Sequence, residues 1–524
     1  MKLRTSSPAV GLVLVLASAA GCGDEDMFTL ELGANERMID KLATARIAHR
    51  DQGLEQPIVV GDLDGDGIDD AVVRTTFTTP GAGGTTVFGG AVYVLYGGSG
   101  VTGSIDLAGL PALIHVGAPS YSTPPSGGVS AVGDIDGDGL ADFVVSVDGL
   151  IGSCPQDAGF TIDNPAVAGA WVVYGSAARL TGSHEIKDVA ALLSEPVKCG
   201  RWNLAAALGD VDGDGKADFA VAKQSAAVGE PYEVFLFYGR GARLSGTVDL
   251  ATTADATISE PGLASGLGGA SAYRLGDVDG DGVDDFVVRL PLSTNSLDAR
   301  IVRGSATRLA GAVALPDIGY TQLPGGDFCF VSDAAFAVAL GDLDGDGADD
   351  FSLVNCERTN LGFGPVTHRV FYGNKAGLPA ELRTTDAAAT IAPTGHLYPS
   401  QLIAGDVDGD GIPDLIFADE NLHDTNGGVH VIKGRHERLS GAIDPSAPSN
   451  VTYIGRPQRL PGCQGDRCVL PEKLGAGVSL GDLTGDHHPD LLIGANSDDY
   501  EIVPGPGVAI GHTYVLSSPV IPKP

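Results

Sequence analysis

Positive charge is scarce in this sequence. Its 32 Lys and Arg face 67 Asp and Glu, for a net charge of −35 at pH 7. So acidic a chain repels nucleic-acid phosphates and the surface of an anionic bilayer, which excludes unaided binding to either. No His-Glu-x-x-His motif and no P-loop occurs, and the 11 His are scattered, so the common metalloprotease and nucleotide-hydrolysis chemistries have no anchor here. Gly477-Val478-Ser479-Leu480-Gly481 has the spacing of a nucleophile elbow, but a carboxylate-rich loop follows it where that elbow needs a helix. The chain therefore reads as non-enzymatic. There is no Arg-Gly-Asp tripeptide, and outside the N-terminus no long stretch looks helical. Hydrophobic residues at 43% with 76 Gly and 31 Pro suit many short strands joined by tight turns, an all-β composition.

What the sequence has in quantity is one repeated segment, Gly-Asp-x-Asp-Gly-Asp-Gly-x-x-Asp followed by three apolar residues. Copies begin at Asp62, Asp134, Asp210, Asp277, Asp342, Asp406 and Asp482. The interval varies while the motif barely does, as expected of one structural unit copied with loops free to differ in length. Counted from its first aspartate, each copy offers side-chain oxygens at positions 1, 3, 5 and 9 and a backbone carbonyl at position 7. The sets are Asp62, Asp64, Asp66, Ile68 and Asp70; Asp134, Asp136, Asp138, Leu140 and Asp142; Asp210, Asp212, Asp214, Lys216 and Asp218; Asp277, Asp279, Asp281, Val283 and Asp285; Asp342, Asp344, Asp346, Ala348 and Asp350; Asp406, Asp408, Asp410, Ile412 and Asp414; and Asp482, Thr484, Asp486, His488 and Asp490. All donors are oxygen. That donor set on a flexible loop suits Ca²⁺, whereas Zn²⁺ takes Cys or His and Mg²⁺ seldom uses an all-protein cage. Up to seven ions are expected, the seventh weakly held, because Thr484 removes a carboxylate and His487 replaces the turn glycine. Without an ion, four carboxylates within nine residues would repel one another strongly.

An EF-hand shares the opening of this loop but needs a bidentate Glu at position 12 and a following helix. Here position 12 is Val73, Val145, Val221, Val288, Leu353, Phe417 or Ile493, inside short β-rich runs such as Phe143-Val144-Val145. The site is a strand-loop-strand turn. A strand such as Val129 to Val132 precedes each loop. A third closes on glycine, as in Trp171-Val172-Val173-Tyr174-Gly175, and an Arg-Leu-x-Gly turn at Arg179, Arg243, Arg308 and Arg438 leads to a fourth such as Val451 to Ile454. Four antiparallel strands repeated seven times predict a seven-bladed β-propeller. The last unit runs out at His512 to Leu516, and Ala45 to His49 resembles a missing fourth strand, so an N-terminal strand is expected to complete the last blade. On these motifs the chain resembles the FG-GAP and VCBS-type repeats of integrin α-like propellers. The resemblance implies calcium loops between first and second strands, on the face opposite the ligand surface.

Met1-Lys2-Leu3-Arg4, the apolar run around Leu12 to Leu16 and Ala19-Ala20-Gly21-Cys22 read as an export signal. Its end resembles a bacterial lipobox, which implies acylation of Cys22 and, with Gly23 next, an outer-membrane or cell-surface lipoprotein of a Gram-negative bacterium. The division is signal 1–22, tether 23–44, propeller 45–518 and tail 519–524. Six cysteines remain in an oxidising compartment, and proximity favours Cys154 with Cys199, Cys329 with Cys356 and Cys463 with Cys468. These cysteines, with Tyr121, Phe160, Trp202, Phe328, Tyr398 and Tyr500, fall in connections away from the carboxylate loops, whereas Trp171 on a third strand reads as core. The expected function is a calcium-binding adhesion or protein-interaction module with an unknown partner near Trp202, Tyr121 and the Cys463 to Cys468 loop. The alternatives are a carbohydrate-binding propeller or an enzyme's accessory domain.

Overall fold

Strands in this chain carry apolar residues at consecutive positions instead of alternating ones, which requires both faces of a sheet to be covered. The computed structural model describes residues 35–48, 53–80, 86–120, 128–147, 169–194, 200–225, 232–260, 270–293, 296–324, 336–359, 362–392, 401–422, 426–455, 458–459, 469–470, 472–495, 512–518 and 520. Seven small sheets stand around a ring as the blades of a β-propeller. Blade 1, for example, orders Gly53–Gly61, Asp70–Pro80, Thr86–Leu95 and Ala112–Ser120 from the inside outward, all antiparallel.

The two faces of each sheet feed different cores. In blade 2, Trp171 and Val173 pack with blade 1, whereas Ala170 and Val172, one residue out of phase on the same strand, pack with blade 3. Among the described residues seven apolar clusters result, each shared by two neighbouring blades, with no single central core joining them. Trp171 is core, as expected.

The sheets also contain a strand that the four-strand repeat does not announce. Between its third and fourth strands each chain segment first crosses to the preceding blade and pairs in parallel with that blade's outer strand. Gly182–Glu185 of blade 2 lies on Ala112–Ser120 of blade 1, Thr247–Asp249 of blade 3 on Ala190–Ser194 of blade 2, and Gly311–Ala314 of blade 4 on Ala256–Ser259 of blade 3. Gly441–Ile443 does the same on Ala389–Ile391. Blade 5 keeps a reduced version, a single parallel bridge from Glu381 to Gln322 on the outer strand of blade 4. Each crossing strand covers an edge that would otherwise offer unpaired N–H and C=O groups. A short turn then returns the chain and buries one apolar residue: Ile39, Leu107, Ile186, Leu250 or Leu315.

Ring closure follows the same path. Ala45–Ala48 pairs antiparallel with His512–Leu516 and completes blade 7, as expected, and Gly103–Asp106 of blade 1 covers it. Glu36–Met38 pairs in parallel with Val451–Ile454 of blade 6. This corrects the boundaries read from sequence: residues 36–38, assigned to a tether, are the crossing strand of blade 7, and Val520, assigned to a tail, is buried with its N–H donated to the Val407 carbonyl at 3.0 Å. Three-residue strands carry too little pattern to be seen without their partners. The export signal and Cys22 lie outside the described residues.

A chain beginning at residue 35 should therefore melt as the longer protein does. One beginning at residue 51 leaves the His512–Leu516 edge bare and should melt several degrees lower and aggregate; equal melting of the two by calorimetry would contradict this closure.

Candidate metal centres

All seven carboxylate loops join the first strand of a blade to the second, at one end of the ring. Each is folded by its own aspartates. Asp62 accepts N–H bonds from Gly65 at 2.7 Å and Gly67 at 2.8 Å, Asp64 accepts from Asp66 at 3.2 Å, and Asp66 accepts from Ile68 at 3.0 Å. The bond from the position-7 N–H to the position-5 carboxylate recurs at Leu140, Lys216, Val283, Ala348, Ile412 and His488. Such turns need left-handed backbone at position 6, where Gly67 has φ 83°. In the seventh copy His487 adopts the same conformation at φ 66°, against its side chain's preference, because the rest of the loop imposes it.

Position 9 does something that its type alone does not reveal. Asp70, Asp142, Asp218, Asp285, Asp350, Asp414 and Asp490 are buried. In the first six copies one oxygen accepts the N–H of loop position 2 and the other that of the glycine ending the third strand: Leu63 and Gly97 at 2.8 Å each for Asp70, Ile135 at 3.0 Å and Gly175 at 2.8 Å for Asp142. The staple holds loop and strand so close that a Cβ at Gly175 would lie 2.5 Å from the Ala141 carbonyl. That contact explains the glycine closing the third strand in the first six blades, where blade 7 has Ser518. In the seventh copy Asp490 instead accepts from the Thr484 N–H at 2.8 Å and its hydroxyl at 3.3 Å.

Burial, opposed by these two bonds and reinforced by neighbouring carboxylates, pushes the position-9 carboxyls up, to about 7 for Asp70, Asp142, Asp218, Asp285 and Asp350 and to about 6 for Asp414 and Asp490. Carboxylate oxygens gather accordingly. Those of Asp62, Asp64 and Asp66 lie within 4.8 Å of one another, as do those of Asp134, Asp136 and Asp142 and the equivalent triads at Asp210, Asp277 and Asp342. The donors are hard anionic oxygens on glycine-containing loops, a set that fits calcium.

Cations lie against these loops. Arg179, from the turn after the third strand of blade 2, donates to Asp64 and, at 2.7 Å, to Asp66 of blade 1. Arg243, Arg308 and Arg438 repeat this on Asp136 and Asp138, Asp212 and Asp214, and Asp344 and Asp346. Each guanidinium also stacks on the tyrosine before a closing glycine, 4.8 Å from the ring centre for Tyr96 and 5.1 Å for Tyr174. The tyrosine hydroxyl accepts the next N–H, that of Leu180 at 2.8 Å and Leu244 at 3.0 Å. The Arg-Leu-x-Gly turn is thus an interblade clasp.

Backbone bonds tie loop to loop as well. The position-8 N–H of one loop donates to the position-1 carbonyl of the loop before it: Asp69 to Asp482 at 2.9 Å, Ala141 to Asp62 at 2.8 Å, Ala217 to Asp134 at 2.9 Å, Asp284 to Asp210 at 3.0 Å and Asp349 to Asp277 at 2.7 Å. Pro413 and Pro489 stand at position 8 of the last two copies and have no N–H, so blade 6 lacks this bond on both sides.

Ser479 lies on the inner strand Leu474–Gly481, its hydroxyl accepting the Val59 N–H at 3.0 Å, a structural use of the serine in the elbow-like sequence. The connections at the far end lie mostly outside the described residues, with Tyr121, Phe160, Phe328, Tyr398, Tyr500, Cys154, Cys199, Cys329, Cys463 and Cys468. Only the strand positions of Trp202 and Cys356 are described there.

The raised carboxyl values fix a sign. Folded metal-free protein binds more protons than unfolded chain between the ordinary value of 3.8 and about 7. The stability these groups contribute is complete below about pH 4 and is lost as pH rises through 7. His512 acts oppositely, since burial and then Arg46 lower it to about 3, but it is one group against seven. Protein stripped of metal should melt at higher temperature at pH 5 than at pH 7 by scanning calorimetry; the reverse order would contradict burial of position 9.

Residues 202–237 match the FG-GAP repeat family. The matched segment runs from the first strand of blade 3 through its loop Asp210 to Asp218 to the end of its third strand. No curated protein matches the chain. The chain is a seven-bladed β-propeller that carries an FG-GAP repeat in its third blade.

Proposed function

We propose that the protein is a calcium-stabilised, exported propeller, anchored through acylated Cys22, that binds a macromolecular partner on the face opposite its metal loops and performs no catalysis. The observation that carries this reading is the contrast between the two ends of the blades. Near-identical carboxylate loops occupy one end in all seven copies. At the other, the connection between second and third strands varies from residues 294–295 in blade 4 to residues 148–168 in blade 2. A surface that varies in length and composition distinguishes partners, whereas seven copies of one loop do not.

Calcium supplies positive charge where the loops concentrate carboxylates. Positions 1, 3, 5 and 9 would hold it, and the position-7 carbonyls would complete the shell. The partner would dock near Trp202, Tyr121 and the Cys463 to Cys468 loop in an adhesion or protein-interaction role, with the six cysteines stapling the variable connections. A glycan array probed with the acyl-free domain separates a carbohydrate partner from a protein one.

Because an ion that binds only folded protein stabilises it by mass action, chelation should lower the melting temperature and calcium should restore it. Asp136→Ala should reduce that calcium-induced shift more than Thr484→Ala, since the second loop has the full ligand set. An identical melt in chelator and in calcium would overturn the calcium reading. For the anchor, Cys22→Ser should abolish metabolic labelling with fatty acid and partitioning into detergent; equal labelling of both forms would refute acylation at that residue.

A further inference from the structure

Six of the seven metal loops have a cation at the same place, and its source in the chain changes while its place does not. In loops 1, 2, 3 and 5 it is Arg179, Arg243, Arg308 or Arg438, supplied by the following blade. Loops 4 and 6 take it from their own blade, at the position before the closing glycine where blades 1, 2, 3 and 5 carry tyrosine. Arg303 donates to Asp279 and stacks 4.2 Å from the ring centre of Tyr320, and Lys433 donates to Asp408 and, at 3.1 Å, to Asp410. The two sources exclude each other. Four residues beyond the closing glycine, where the clasp arginines stand, blade 5 has Gly377. A Cβ added there would lie 3.3 Å from Arg303 Nη2, so the two sources compete for one volume. Loop 7 has neither source: Ser517 stands in its own blade and Val101 in the next, and among the described residues no Lys or Arg is paired with Asp482 or Asp486. That is also the loop in which Thr484 has removed the position-3 carboxylate.

Were these residues only interblade glue, Arg303 and Lys433 would have no place among them, because each joins a loop to its own blade. What stays constant across the copies is one positive charge against the position-3 carboxylate, in five of the six loops shared with position 5. We propose that these six residues are resident counterions of the metal loops: each offsets carboxylate repulsion in the metal-free protein, so that the ring assembles before any ion arrives, and each sets calcium affinity below what the carboxylates alone would give. The second half rests on the calcium reading above; the first does not.

The chemistry supports both halves. The guanidinium of Arg179 holds Oδ2 of Asp64 and of Asp66, while Oδ1 of each accepts a loop N–H. A cation in that position stabilises the metal-free loop most, because there it faces uncompensated carboxylates. With a divalent ion at the centre it also meets like charge. Whatever stabilises the free form more than the bound form weakens binding by the same factor.

The test uses the full chain in three forms: the parent, the combined variant Arg179→Gln, Arg243→Gln, Arg308→Gln and Arg438→Gln, and the matching four Arg→Lys changes. Melting is followed in chelator and in calcium, with circular dichroism checking that each form is folded at low temperature. The Gln form should melt several degrees below the parent in chelator, recover most of that loss in calcium, and so show a larger calcium-induced shift. The Lys form should stay near the parent in both. Thr484→Asp, which gives loop 7 its fourth carboxylate with no counterion, should likewise lower the chelator melt and enlarge the shift, and it leaves every clasp intact if the combined variant does not fold. A Gln form that melts in chelator like the parent would overturn the counterion role. A Gln form whose calcium shift shrinks would show instead that the arginines orient the ligands, and would equally overturn the proposal. A parent with no calcium shift at all would remove the calcium reading and the affinity half, while the chelator comparison would still decide the first half.

Discussion

Repulsion among carboxylates held within nine residues is the constraint that organises this molecule. Each loop meets it in layers. Backbone N–H groups at positions 4 to 7 turn inward onto the first three aspartates, as Gly65, Gly67 and Ile68 do in blade 1. The fourth aspartate is withdrawn into the blade, where two further N–H groups hold it. In six of the seven loops a guanidinium or ammonium then closes on the outer oxygens. None of these is individually large, since the cations are half exposed and screened by solvent. Their recurrence around the ring makes the loop end of the propeller an electrostatic assembly whose stability depends on the protonation of its carboxyls.

The same constraint links chemistry to architecture. The staple from position 9 to the closing glycine fixes where the third strand ends, and the clasp from the next blade closes on that corner. In blades 2, 3 and 4 the crossing strand follows in the chain, so one segment of about ten residues carries the counterion, covers a neighbour's edge and plugs the interblade core with a buried Leu or Ile. Blade 6 differs in a coherent way. Pro413 and Pro489 remove the loop-to-loop bonds on both of its sides, and its closing-glycine position is preceded by Lys433, not tyrosine.

Much of this was legible in the sequence, and the parts that were not share a cause. Motif spacing with Tyr-Gly strand ends is local information, enough to give seven blades, the loops between first and second strands, the Ala45–Ala48 closure and Trp171 in the core. The crossing strands are not legible there, because Gly182–Glu185 is four largely exposed residues whose reason for being a strand lies in the preceding blade. Arg179 was visible as a turn residue, but its partner Asp64 is 115 positions away, and no local pattern connects them. That Asp70, besides standing at a ligand position, is buried and staples the loop to the third strand was not legible, because type and spacing do not reveal burial. Comparing the copies position by position would have exposed the exchange of Tyr for Arg303 and Lys433, which is the signal for the counterions.

A propeller built this way holds its ring together with uniform charged loops at one end, and on the function proposed above the variable connections at the other end serve recognition. The claim on which this account stands is that the loops are metal sites and not merely acidic turns. Equilibrium dialysis of the intact protein against radioactive calcium, after removal of metal by chelation and at physiological ionic strength, tests it most directly. The account predicts six ions bound per chain with a seventh held more weakly, the weak one abolished by Asp482→Ala. Binding no greater than that of an unrelated protein of equal net charge would contradict it.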